Sequence, residues 1–163
     1  MTKEDWFYVV LLVFCLFIQA LVVRDTFSAE LKAPQAGSLY AIAYGSVGHL
    51  PEKTPTIVIA HKDRLCAIAD MKPGCPVRGL QLDETIYLDE ALDFDDPLDA
   101  SIALHEMAHY VQWDRDGRAK DCNEWIKREE EAYRVQIHAL NKIGVDFSSV
   151  QLGLIRVRQM RCL

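Results

Sequence analysis

The chain has 163 residues, half of them hydrophobic, with a formal net charge of −6 and a pI near 5.3. That length supports one domain with its own core and leaves little room for a second. The acidic balance argues against a nucleic-acid partner, which requires clustered excess Lys and Arg; the small basic group Arg156, Arg158 and Arg161 reads as a solvated helix face.

Trp6 to Val23 form an uncharged, mostly apolar run of 18 residues, the lower bound for a membrane-spanning helix and longer than a usual signal-peptide core. The flanks do not choose between the two. Lys3 is offset by Glu4 and Asp5, and Thr26-Phe27-Ser28 is only a passable cleavage site. Residues 1–30 are therefore read as a signal peptide or a membrane anchor, and 31–37, with Pro34 and Gly37, as the end of a polar linker. The expected location is outside the cytoplasm, periplasmic or extracellular, with residues 6–23 as a membrane tether if they are retained. The competing reading is a buried N-terminal helix of a cytosolic fold. Apart from Cys15 in the apolar run, four cysteines remain, and an even count in an exported domain favours two disulfides. Cys66 with Cys75 closes a short local loop, so that pairing, with Cys122 to Cys162, is preferred; sequence leaves the other two pairings open.

The folded domain is expected over 38–163, beginning with a short helix in "SLYAIAYGSVGHL". Thr56-Ile57-Val58-Ile59-Ala60 has strand character, "KDRLCAIADM" has the spacing of a short amphipathic helix, and "KPGCP" is a turn. "VRGLQLDETIYLDEAL" holds two strand-like runs, the second containing Ile86, Tyr87 and Leu88. In "DFDDPLDASIALHEMAHYVQW", Asp96 is the expected N-cap, Pro97 the first helical residue and Asp99 an acidic group in the first turn. One face of this helix carries Ile102, His105, His109, Gln112 and Trp113, the opposite one Leu104, Met107, Ala108 and Val111. Both faces are largely apolar, so the helix is expected to be buried.

Within it, His105, Glu106 and His109 stand in the order H-E-x-x-H, which puts two imidazoles one turn apart on one face with a carboxylate beside them. A second long helix is expected from an Asn123 cap to Gly144. On its apolar stripe of Trp125, Ala132, Tyr133, Leu140 and Ile143, Glu129 falls near the middle, Glu130 at the margin and Glu131 on the far side. A carboxylate aimed into an apolar stripe is costly unless paired or metal-bound, and His105 with His109 are the candidates to share a metal with Glu129. Gln136 lies on the same stripe with a second, hydrogen-bonding role, and His138 points away.

"HEMAH" followed by "EEEAY" resembles the gluzincin metallopeptidases, and the compact chain with strands before the helix is similar to their minimal members, the minigluzincins. The resemblance covers residues from about 56 to 140. It implies an α+β, minimal zincin fold: a small mixed sheet with an edge strand packed on the active-site helix, followed by a glutamate-ligand helix. It implies Zn2+ held by His105, His109 and Glu129, with Glu106 as general base for hydrolysis of peptide bonds in a peptide or protein substrate. Many gluzincins have aspartate four residues after the glutamate ligand, where this chain has Tyr133, whose hydroxyl is expected to orient an imidazole instead. The strand around Glu84 to Leu92 is expected to hold the extended substrate. Tyr110, Tyr133 and Arg134 are candidates by type for stabilising the oxyanion. The alternative is a catalytically silent zincin-like scaffold that binds a protein or peptide partner through the same groove.

Overall fold

The computed structural model describes residues 33–160 and 162. In chain order these form α1 (Ala33–Val47), β1 (Thr56–Ala60), α2 (Lys62–Ile68), β2 (Gly79–Leu82), β3 (Thr85–Asp89), α3 (Pro97–Asp116), α4 (Cys122–Lys142) and α5 (Ser148–Gln159). The domain is α+β, with five helices and one small mixed sheet among the described residues. The apolar run of residues 6–23 and Cys15 lie outside them. Among the described residues no helix is long and apolar enough to cross a membrane.

The expected linker over 31–37 is instead helical from Ala33. Pro34 is no obstacle in that first turn, because its missing N–H would have no partner inside the helix there.

The strand order is β1-β3-β2, with β1 parallel and β2 antiparallel to β3. This corrects the expectation for Glu84 to Leu92: β3 is the central strand, paired on both sides, and has no free edge to offer a peptide. The edges of the sheet are β1 and β2, and it is β2 that borders the helix carrying the two histidines; it is joined to β3 by a tight turn in which Asp83 takes φ 51°. β2 packs on α3. Arg78, just before β2, makes two parallel bonds of 2.7 and 3.0 Å to Asp99 in the first turn of α3. This Arg78 fork holds the Asp99 carboxyl below the ordinary range despite partial burial.

Helix α3 starts as its sequence predicts, with Asp96 accepting from the Leu98 N–H at 2.8 Å. It is buried on nearly every side. Leu104, Met107, Ala108, Tyr110 and Val111 share a core with Ile86 and Leu88 of β3, Ala43 of α1, and Ala132 and Val135 of α4. Helix α4 is capped by Asp121 rather than Asn123: Asp121 accepts from the Glu124 N–H at 2.8 Å while Glu124 accepts from the Lys120 N–H at 2.9 Å. Two reciprocal bonds satisfy donors that a cap two residues later would leave free.

Both preferred disulfides are present. Cys66–Cys75 ties α2 to the turn before β2, and Cys122–Cys162 joins the first residue of α4 to the chain just past α5. The second bond closes a loop with a sequence separation of 40, so the α4–α5 hairpin is clamped at its open end. Loop-closure entropy for that length gives about 4 kcal/mol, against about 2.6 kcal/mol for the short loop. Replacing both Cys122 and Cys162 by Ser should lower unfolding free energy in urea by roughly 3–4 kcal/mol, more than the same change at Cys66 and Cys75. Equal losses would show that chain entropy does not set the difference.

Candidate metal centre

The two long helices lie against each other so that His105 and His109, one turn apart on α3, face Glu129, two turns into α4. The two Nε2 atoms are 3.1 Å apart, Glu129 Oε1 is 3.1 Å from His109 Nε2, and Oε2 is 3.4 Å from His105 Nε2. Donors placed tetrahedrally at about 2.0–2.1 Å from zinc stand about 3.3 Å from one another. Each imidazole nitrogen stands at about this spacing from the other and from one Glu129 oxygen, the three donors lie within 4.8 Å of one another, and their types suit zinc.

Gln112 sets which imidazole nitrogen is free. Its Nε2 donates to Arg128 O at 3.0 Å and to Glu131 Oε2 at 2.9 Å, so its oxygen must face His109 Nδ1, 2.9 Å away. An acceptor there requires a proton on Nδ1, so Nε2, which faces Glu129 and His105, is the nitrogen a metal would take once its own proton is lost. Nothing in the sequence by itself marks Gln112 for this role. The one signal is its place three residues after His109 on the same helix face.

Burial alone would lower the His109 pKa, but the bond to Glu129, the charges of Glu129 and Glu106 and the Gln112 bond together outweigh burial and raise it to about 9. Burial likewise disfavours the Glu129 carboxylate, and the two imidazoles more than reverse that, keeping it well below the ordinary range. Without a metal, the cluster is an ion pair.

Glu106 is buried beside the cluster and is not part of it. Burial pushes its carboxyl above the ordinary range, opposed by the two imidazoles and by a hydrogen bond from the Gln81 N–H of the edge strand. The strand comes this close because Gly79 has no side chain: a Cβ there would lie 2.7 Å from Glu106 Cγ and 2.8 Å from its Oε1. A cleft of about 550 Å³ runs between β2 and the first turns of α4 past all four groups. Leu82, Trp113 and Trp125 line its apolar part, and Arg118 grips Asp83 with bonds of 2.7–3.0 Å across its rim.

Other expected roles change. Tyr133 meets His105 through its ring, edge-on with centroids 4.6 Å apart, and no hydrogen bond joins its hydroxyl to the imidazole. His105 Nδ1 is buried without a partner among the described residues. Gln136 donates to Ser101 Oγ at 2.8 Å, one turn before His105, and not to an imidazole. Glu130 pairs with Arg134 and Arg158 away from the cluster, while Glu131 is not on the far side but bonds Gln112. Of the three oxyanion candidates only Tyr133 lines the cleft: Tyr110 donates to Lys53 O, and Arg134 is exposed on Glu130.

The fold and the cluster together define an α+β domain with a His-His-Glu triad set between two long helices and a carboxylic acid beside it. Residues 48–158 match the family described as "Domain of unknown function (DUF6647)", and the chain belongs to that family. The match runs from the end of α1 almost to the end of α5 and so contains the whole cluster. No curated protein and no solved structure matches the chain.

Two predictions follow from the geometry. In zinc titrations Glu129→Ala should lose tight binding and Glu130→Ala should keep it, while Gln112→Leu, which removes the acceptor on His109, should weaken binding by about 10–100-fold. Retention of zinc by Glu129→Ala would place the ligand elsewhere. In metal-free protein, stability from the raised His109 pKa is fully present below 6.5 and lost as pH rises through about 9. That from the depressed Glu129 pKa is present above 4.5 and lost on acidification. Urea unfolding of chelator-treated protein should therefore show a decline between pH 6.5 and 9 that Glu129→Gln flattens.

Proposed function

We propose that this protein is a zinc-dependent peptidase of the gluzincin type on a minimal zincin fold, with His105, His109 and Glu129 as metal ligands. The observation that carries the proposal is the placement of Glu106: a buried acid next to a three-donor cluster, under an edge strand and open to a cleft. Purely structural zinc sites use four protein ligands, and a fourth, idle carboxylate beside three ligands has little use in one.

Zinc held by the three donors would supply Lewis acidity, polarising a peptide carbonyl and lowering the pKa of water. Glu106 accepts the proton from the attacking water and later passes it to the departing amine. The raised affinity of its carboxyl for protons suits that second step, because a buried acid holds a proton until a stronger base takes it. The free edge of β2 offers main-chain groups to an extended peptide lying in the cleft. Gln112 holds the His109 ring in the tautomer a ligand needs. The two disulfides favour an oxidising compartment, consistent with an exported protein that residues 6–23 lead out of the cytoplasm or tether to a membrane.

Glu106→Gln keeps the shape of the side chain and removes the base. Zinc content should stay near one per chain while cleavage of a peptide library falls by roughly 10² or more. If wild-type protein holds zinc and cuts nothing, with wild type and variant binding the same peptides equally, the protein is a silent scaffold and the peptidase proposal fails.

A further inference from the structure

Gly153 lies inside α5, where alanine would be the better helix former, so its presence needs another reason. The reason is contact. A Cβ at Gly153 would lie 2.7 Å from Tyr133 Cε1, 2.9 Å from Cζ and 2.9 Å from the hydroxyl oxygen. The same ring also meets the His105 imidazole edge-on, at 4.6 Å between centroids. Tyr133 is thus in contact with both α5 and a residue of the cluster, so that a ring displaced by added bulk at Gly153 changes its contact with His105.

We infer that Gly153 is a positioning residue: by letting the backbone of α5 approach Tyr133 it sets where that ring stands, and the ring sets the orientation of His105. This suits the rest of the His105 environment. Its Nδ1 has no hydrogen-bond partner among the described residues, whereas His109 has Gln112 there, so apart from the contacts of its Nε2 it is packing that holds the His105 ring. Helix α5 is itself held against α4 by the Cys122–Cys162 bond. The C-terminal helix, which contributes no donor to the cluster, therefore takes part in building it. The consequence for metal affinity rests on the zinc reading above; the seating of the ring does not.

The test uses full-length protein carrying Gly153→Ala, Tyr133→Ala or both, and two readouts. In metal-free protein, Gly153→Ala should shift the His105 imidazole resonances in NMR spectra, and the shift should vanish in the Tyr133→Ala background. In zinc titrations Gly153→Ala should lose about 10-fold or more in affinity, with little further loss when added to Tyr133→Ala. Loss of zinc would run against the gain in helix propensity, which separates it from simple helix destabilisation. Unchanged His105 resonances, or equal effects of Gly153→Ala in both backgrounds, overturn the inference. Should Gly153→Ala not fold, recovery of folding in the double variant supports it and failure of both overturns it. A wild-type protein that takes up no zinc would end the metallopeptidase proposal, while the imidazole resonances would still decide the role of Gly153.

Discussion

The carboxylate of Glu129 is the constraint on which the arrangement depends. It is mostly buried, and a charge so placed is tolerated only with partners of the opposite kind at close range. His105 and His109 supply them, and the bond distances of 3.1 and 3.4 Å are possible only if α3 and α4 keep one register and one separation. The neighbouring contacts serve that register. Gln112 reaches from α3 to the Arg128 carbonyl and the Glu131 carboxylate of α4, spanning the turn on which Glu129 stands. Gln136 and Ser101 join the same two helices further along, by one hydrogen bond between buried side chains.

The second layer of the design concerns approach. Two glycines stand where neighbouring elements come closest to groups of the cleft: Gly79 lets the edge strand descend on Glu106, and Gly153 lets α5 descend on Tyr133. In each case a single carbon would force apart an acid or an aromatic ring and the backbone against it. The Arg78–Asp99 fork fixes β2 to the start of α3 from one side of the cleft. The Arg118–Asp83 pair ties the turn after β2 to the loop after α3 from the other, though at an exposed rim where such pairs add little stability. Between them the edge strand is held over Glu106.

Much of this was legible in the sequence because it depends on local periodicity. The four-residue step between His105 and His109, the Asp96-Pro97 start of α3 and the phase that selects Glu129 over Glu130 all follow from 3.6 residues per turn. The strand runs and the Cys66–Cys75 pairing are local in the same sense, since alternation and short loop closure are properties of a few consecutive residues.

What tertiary structure alone decided is which elements meet. The sequence places β2 and β3 but not which is the edge, because β1 pairs with β3 from 29 positions away in register and hydropathy does not state partners. It shows Tyr133 and Gln136 on the right face of α4, yet only packing shows that one acts through its ring and the other bonds Ser101. Gly79, Gln112 and Gly153 carry no motif; their importance is a matter of ångströms between chain segments, and such distances exist only once the helices and sheet have closed on one another.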